Sequence, residues 1–158
     1  MSGTIPSEIG LMTKLESVQL QNTQMTGTLP EELYQNPSLL SLDVSGSQFT
    51  GTISTLIGLL SNLAWFLIAD NNFTGTIPEE MGALSNMYKI ALNGNNLAND
   101  AVPDSLCELR NPGEALLRAW QLSADCQPDL VTGTPAMECP RTCCTHCCDS
   151  SSKICTET

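Results

Sequence analysis

Leu63-Ala64-Trp65-Phe66-Leu67-Ile68-Ala69-Asp70-Asn71-Asn72-Phe73-Thr74-Gly75-Thr76-Ile77-Pro78 holds both halves of a unit that recurs along the chain. The second half returns as Gly3-Thr4-Ile5-Pro6, Gly27-Thr28-Leu29-Pro30 and Gly51-Thr52-Ile53-Ser54, always at an interval of 24 residues. The first half is an apolar pattern, here Leu63, Phe66, Ile68, Asn71 and Phe73. It is matched by Leu15, Val18, Leu20, Thr23, Met25, by Leu39, Leu42, Val44, Ser47, Phe49, and by Met87, Ile90, Leu92, Asn95, Leu97. A fixed period of about 20 to 30 residues marks a solenoid, in which each repeat is one coil. The alternation at Phe66 and Ile68 predicts a short strand with one buried face, and stacked coils would join such strands into a parallel sheet.

The pattern L-x-x-L-x-L-x-x-N-x-L resembles the leucine-rich repeat. The tail Thr-Gly-Thr-Ile-Pro resembles the plant-type subfamily, which carries a second short strand. The resemblance covers residues 1 to 126 and includes a shorter fifth copy at Leu117, Trp120, Leu122 and Asp125. It implies an α/β solenoid, a right-handed coil of about five repeats. The parallel sheet would lie on the concave face and short helices or 3-10 turns on the convex face. Pro6, Pro30 and Pro78, followed by Ser7-Glu8, Glu31-Glu32 and Glu79-Glu80, suit helix starts, where proline fits the first turn and carboxylates favour the dipole. Ile9, Leu33, Ile57, Met81 and Leu106 are expected to face the core from that side. Departures occur: Thr23 and Ser47 replace the ladder asparagine, which predicts a looser turn there. Ser54 replaces proline, and one residue is inserted before Pro103.

The resemblance also implies recognition on the concave face. The outward strand positions are Ser17, Gln19, Gln21; Ser41, Asp43, Ser45; Trp65, Leu67, Ala69; Lys89, Ala91, Asn93; and Ala119, Gln121, Ser123. Most are small and polar. Trp65 and Leu67 stand out as anchors, because tryptophan buries much area at low entropy cost. Gln19, Gln21, Asp43, Lys89 and Asn93 complete the candidate binding set.

The 158 residues suffice for one repeat domain. Hydrophobic residues make up 41% but aromatics only 4%, which fits a thin aliphatic core. The formal charge of −11 argues against nucleic acid, which needs a positive footprint. The acidity is read as a device for solubility. No apolar run reaches transmembrane length. Met1-Ser2-Gly3-Thr4 enters in mid-repeat, so no leader peptide is read and the N-terminal cap of the solenoid is missing.

All eight cysteines, Cys107, Cys126, Cys139, Cys143, Cys144, Cys147, Cys148 and Cys155, fall near the end of the chain. An even count in a polar tail predicts a disulfide framework and an oxidising compartment. Residues 127–158 are therefore read as a cysteine-rich C-terminal module capping the solenoid of residues 1–126. A Cys107–Cys126 bridge would staple the last coil, and the pairing of the other six stays open. The competing reading is a metal site at Cys143-Cys144-Thr145-His146-Cys147-Cys148. Known zinc clusters space their ligand pairs with structured segments, whereas these ligands are crowded together. No metal and no cofactor is therefore expected. The Ala-Asp-Cys string and the Cys-Cys-Thr-His-Cys-Cys string most resemble secreted algal and diatom-type members.

Thr26 and Thr28, Thr50 and Thr52, and Thr74 and Thr76 flank the glycines and predict a two-column ladder. It resembles the flat threonine arrays of ice-binding proteins, and could equally carry O-glycans. Asn72-Phe73-Thr74 is the one N-glycosylation sequon free of proline. Catalysis finds little support: His146 sits among the cysteines, and Glu8, Glu32 and Glu80 line an open convex edge with no cleft. The reading is a non-catalytic, extracellular, secreted or cell-surface module that binds a protein or glycan. Two alternatives are a structural subunit stacking through its open first coil, and ice binding through the threonines. No nucleic acid and no membrane span are expected.

Overall fold

The computed structural model describes residues 1–98, 102–109, 121–125, 146–148 and 155–157. Each coil carries two strands and one turn of helix. The strands are β1 (Ser2–Gly3), β2 (Ser17–Gln19), β3 (Gln24–Gly27), β4 (Ser41–Asp43), β5 (Gln48–Thr52), β6 (Trp65–Leu67), β7 (Asn72–Gly75), β8 (Lys89–Ala91), β9 (Asn96–Leu97), β10 (Gln121–Asp125), β11 (His146–Cys148) and β12 (Cys155–Glu157). One sheet runs β12-β11-β10-β8-β6-β4-β2 and the other β1-β3-β5-β7-β9. All pairings are parallel except β11 with β12. The repeat explains the parallel order. A strand that returns after one full coil must run the same way as its predecessor.

In the larger sheet the register repeats the sequence period, whereas the smaller sheet is slipped by two residues, with Thr50 opposite Asn72 and Thr52 opposite Thr74. Leu42 pairs with Phe66 and Phe66 with Ile90, so identical repeat positions stack into columns. Those columns are the core. Leu42, Val44, Phe49, Phe66, Ile68, Phe73 and Ile90 are all fully buried. Phe49 and Phe73 stack nearly parallel, with ring centroids 6.5 Å apart. Full burial of each such side chain stabilises by about 1.5–3 kcal/mol.

On the convex side the chain forms 3-10 turns at Ser7–Leu11, Glu31–Gln35, Thr55–Leu59 and Glu79–Ala83, and one short helix, α1 (Asp104–Glu108). Each turn starts where the sequence places Pro or Ser. Ile9, Leu33 and Met81 donate their N–H to the carbonyls of Pro6, Pro30 and Pro78 at 3.0–3.2 Å. Ser54 closes the same bond with Ile57 at 3.0 Å and adds a cap, its hydroxyl accepting from the Leu56 N–H at 3.2 Å. Serine thus substitutes for proline by capping the turn instead of fixing φ. Leu33, Ile57, Met81 and Leu106 are buried from this side, and Ile9 is partly buried.

The turns between the two sheets are closed by an asparagine ladder. Asn71 donates to the carbonyls of Val44, Ile68 and Ala69 and accepts from the Phe49 N–H. Asn95 repeats this with Ile68, Leu92 and Phe73. The looser turn expected at Thr23 and Ser47 takes a different form. Their hydroxyls lie 3.1 Å apart, and both donate to the Leu20 carbonyl. The ladder persists through these hydroxyls, which also accept backbone N–H groups, Ser47 from Thr23 and Thr23 from Met25.

Candidate functional site

The larger sheet carries the outward positions that the sequence offered as a binding set. Ser17, Gln19 and Gln21 are exposed, whereas Ser41, Asp43, Ser45, Leu67, Ala69, Lys89, Ala91 and Asn93 are half-buried by neighbouring strands. Asp43 is already engaged, accepting a hydrogen bond from the Ser45 N–H at 3.0 Å. Gln121 and Ser123 lie on β10, in register with Lys89 and Ala91. Ala119 lies outside the described residues.

Trp65 is the large exposed group on this face, at 40% exposure. Its indole meets the ring of Tyr88, with centroids 6.0 Å apart and planes tilted by 59°. Tilted aromatic pairs of this kind contribute about 0.5–1.5 kcal/mol beyond the area they bury. Tyr88 and Leu40 are each 39% exposed. Both occupy the position just before a strand, one column over from Trp65 and two coils apart. Backbone bonds fix that column. The Leu40 carbonyl accepts from Ala64 and Trp65 at 2.8 and 3.1 Å, and the Ala64 carbonyl accepts from Tyr88 and Lys89 at 2.8 and 3.0 Å. Trp65 and Tyr88 therefore meet at the edge of this face, and Leu40 is exposed two coils from Tyr88 in the same backbone column.

Sequence reasoning found Trp65 and Leu67 but not Tyr88 or Leu40. The two-residue alternation that identifies concave positions stops at the strand end. The missed signal was a column, Glu16, Leu40, Ala64, Tyr88, whose side chains change from charged to large and apolar along the solenoid.

The smaller sheet presents the threonines. Thr26, Thr28, Thr50, Thr52, Thr74 and Thr76 are all exposed. They do not stack in the two columns expected from the repeat, because Thr50 faces Asn72 and Thr52 faces Thr74. Thr26, Thr50 and Thr74 donate to the carbonyls of Gly3, Gly27 and Gly51 at 3.4, 3.3 and 3.2 Å. The methyls of Thr4, Thr28 and Thr52 pass close to the glycines of the next coil. A Cβ on Gly27, Gly51 or Gly75 would fall within 2.8–2.9 Å of Cγ2 of Thr4, Thr28 or Thr52. These glycines also have φ of 77–88°, a region unfavourable to other residues.

Among the described residues, no group of three or more His, Cys, Asp or Glu side chains is placed to hold a metal ion. Cys126, Cys139, Cys143 and Cys144 lie outside those residues. Cys107, Cys147, Cys148 and Cys155 are described by backbone only, with Cys148 opposite Cys155 between β11 and β12. No described helix is long and apolar enough to cross a membrane.

No family model and no curated protein sequence matches the chain. Solved structures do. A plant peptide hormone receptor, RGFR1 in complex with RGF2, is 33% identical over 82% of this chain and 20% of its own length, with a TM-score of 0.68. The Arabidopsis receptor kinase HAESA, in complex with the peptide hormone IDA and the co-receptor SERK1, is 32% identical over 82% of this chain and 22% of its own, with a TM-score of 0.67. A plant ice-binding protein is 24% identical over 77% of this chain and 39% of its own, with a TM-score of 0.66. The chain thus spans about a fifth of the length of the receptors it matches.

Proposed function

Since the chain is a plant-type leucine-rich-repeat protein, we propose that it acts outside the cell as a non-catalytic module docking a peptide or protein segment on its concave face. The observation that carries this is the exposed Trp65–Tyr88 pair. It is an aromatic anchor flanked by small polar positions, the composition of a binding hot spot with a polar rim. The receptors it resembles were captured with peptide hormones, which favours a peptide over a glycan as first ligand.

The test uses peptides selected from a displayed library against the unmodified protein. Trp65→Ala should weaken the best of them by roughly 30-fold, the effect of losing a hot spot worth about 2 kcal/mol. Gln21→Ala, at the polar end of the same face, should change affinity less than threefold. Equal binding by the Trp65 variant would refute the anchor.

A second reading, ice binding, is favoured by one observation. The threonines are exposed on one sheet, and the Thr26, Thr50 and Thr74 hydroxyls are held by backbone carbonyls of the preceding coil. Thermal hysteresis lost on Thr50→Lys with Thr52→Lys would support it, and an unmodified protein without hysteresis removes it.

A further inference from the structure

Two asparagines in the described chain are followed two residues later by Ser or Thr, and the structure separates them. Asn36 is 1% exposed, donates to the Met12 carbonyl at 2.9 Å and accepts from the Ser38 N–H at 3.0 Å, and Pro37 follows it. Asn72 opens β7 with its side chain exposed. Phe73 turns inward and is fully buried, while Thr74 returns to the outer face beside Asn72. The Asn72 amide makes no side-chain hydrogen bond among the described residues. Asn72 also pairs in register with Thr50, and Thr74 with Thr52. The sequon therefore lies inside the threonine face, not beside it.

We propose that Asn72 carries an N-linked glycan, and that this glycan closes the threonine face to flat partners while leaving the concave face open. The inference rests on the extracellular reading above, because the modification occurs only in the secretory pathway. The Asn72 Nδ2 would displace the lipid diphosphate from C1 of an activated, lipid-diphosphate-linked oligosaccharide. A C1–N bond forms, the C1–O bond to the diphosphate breaks, and the amide proton leaves to the transferase base. The neighbours around Nδ2 are small. Thr50, Thr74 and Asn96 are all exposed. A branched glycan rooted there must cross the outer face, since the inner side of β7 is the packed core. Trp65 lies on the other sheet, and Tyr88 directly precedes a strand of it.

The full chain should be secreted from a eukaryotic host behind that host's own leader, so that the sequon meets the transferase whatever the native address. Intact mass should show a hexose-spaced excess. Peptide-N-glycosidase should remove it and leave aspartate at position 72. Thr74→Ser should keep the excess and Thr74→Val should lose it. A secreted, unmodified wild-type chain overturns the site. For the shielding, an antibody fragment is selected on N72Q protein and kept only if Thr50→Lys abolishes its binding. It should bind deglycosylated but not glycosylated chain, and equal binding to both overturns the shielding. Library peptides that depend on Trp65 should bind both forms alike. Their loss in the Trp65 variant reports on the concave reading separately, so the two proposals can fail independently.

Discussion

Tyr34→Gly is expected to destabilise the protein by about 4 kcal/mol, the loss seen when a large buried aromatic is deleted. The position is unusual. Its equivalents in the other coils are Gly10, Gly58 and Gly82. A Cβ at Gly10 would fall 2.6 Å from Cβ of Glu32, one at Gly58 would lie 2.9 Å from the Glu80 carbonyl, and one at Gly82 would sit 2.5 Å from Cβ of Ser105. Successive turns are therefore in direct contact wherever glycine stands. Tyr34 is 1% exposed, so here a ring fills the space between turns. The period places it against the coil that carries Ser54 where others have proline and Leu56 where others have glutamate. If these three departures from the repeat are one compensation, the ring takes the room that a capped serine turn leaves beside it, and Leu56 replaces a carboxylate on the same turn. The triple change Tyr34→Gly, Ser54→Pro, Leu56→Glu should recover at least half of the lost stability, a coupling that independent sites would not show. If the triple variant is no more stable than the sum of the single ones, as read from urea midpoints, the compensation is wrong.

The same ring has an alkaline signature. Burial pushes the Tyr34 phenol from 10.0 up to about 12, with the Glu31 carboxylate adding to the rise and the Ser54 backbone opposing it. The hydroxyl forms no complete hydrogen bond among the described residues, so Ser54 is close without satisfying it. Below pH 10 folded and unfolded phenols are both protonated, and the group is neutral for stability. From pH 10 to 12 the unfolded phenol ionises and the folded one does not, so stability falls as pH rises, by about 2–3 kcal/mol. Tyr34→Phe should remove that loss, yet stay within about 1 kcal/mol of the wild type at pH 7, since it deletes an unsatisfied hydroxyl.

These cases show where the sequence was readable. The interval of the repeat was enough to place the larger sheet and its register, where like stacks on like. It misplaced the threonine ladder, because the smaller sheet pairs two residues out of the repeat, Thr50 opposite Asn72 and Thr52 opposite Thr74. What the interval hides is contact between different columns. Trp65 was visible as an outward strand residue, but its partner Tyr88 belongs to the next coil and to a position where strand alternation no longer applies. Tyr34, Ser54 and Leu56 each looked like an isolated lapse from the repeat. Only the packing of one turn on the next brings the Tyr34 phenol to the Ser54 backbone. Thr23 and Ser47 likewise appeared as weakened ladder positions, since nothing in a one-dimensional pattern shows two hydroxyls meeting across coils.

The ladder itself carries the second large effect. Asn71→Ala should destabilise the protein by about 3 kcal/mol, well beyond the roughly 1 kcal/mol expected for Ser47→Ala. The difference is one of burial and valence. Asn71 is 6% exposed and uses both ends of its amide: Nδ2 reaches the carbonyls of Val44, Ile68 and Ala69 at 2.9, 3.1 and 3.2 Å, and Oδ1 receives the Phe49 N–H at 2.9 Å. Val44, Phe49 and Ile68 are fully buried, so water cannot easily replace the lost partner, and each stranded group costs about 1–3 kcal/mol. The Ile68 carbonyl keeps a bond from Asn95 at 2.9 Å, which limits the loss. Ser47 is half-buried, and its neighbours can turn to solvent or to Thr23. Asn71→Asp should not rescue despite its shape, because three donated bonds become contacts between a carboxylate and carbonyl oxygens. Urea titration at constant m-value decides the matter, and parity between the Asn71 and Ser47 variants would sink it. The consequence reaches both faces. Asn71 ties the end of the Trp65 strand to the start of the threonine strand beside Asn72. Its loss should therefore weaken the concave anchor and disorder the glycan-bearing edge together, although it touches neither.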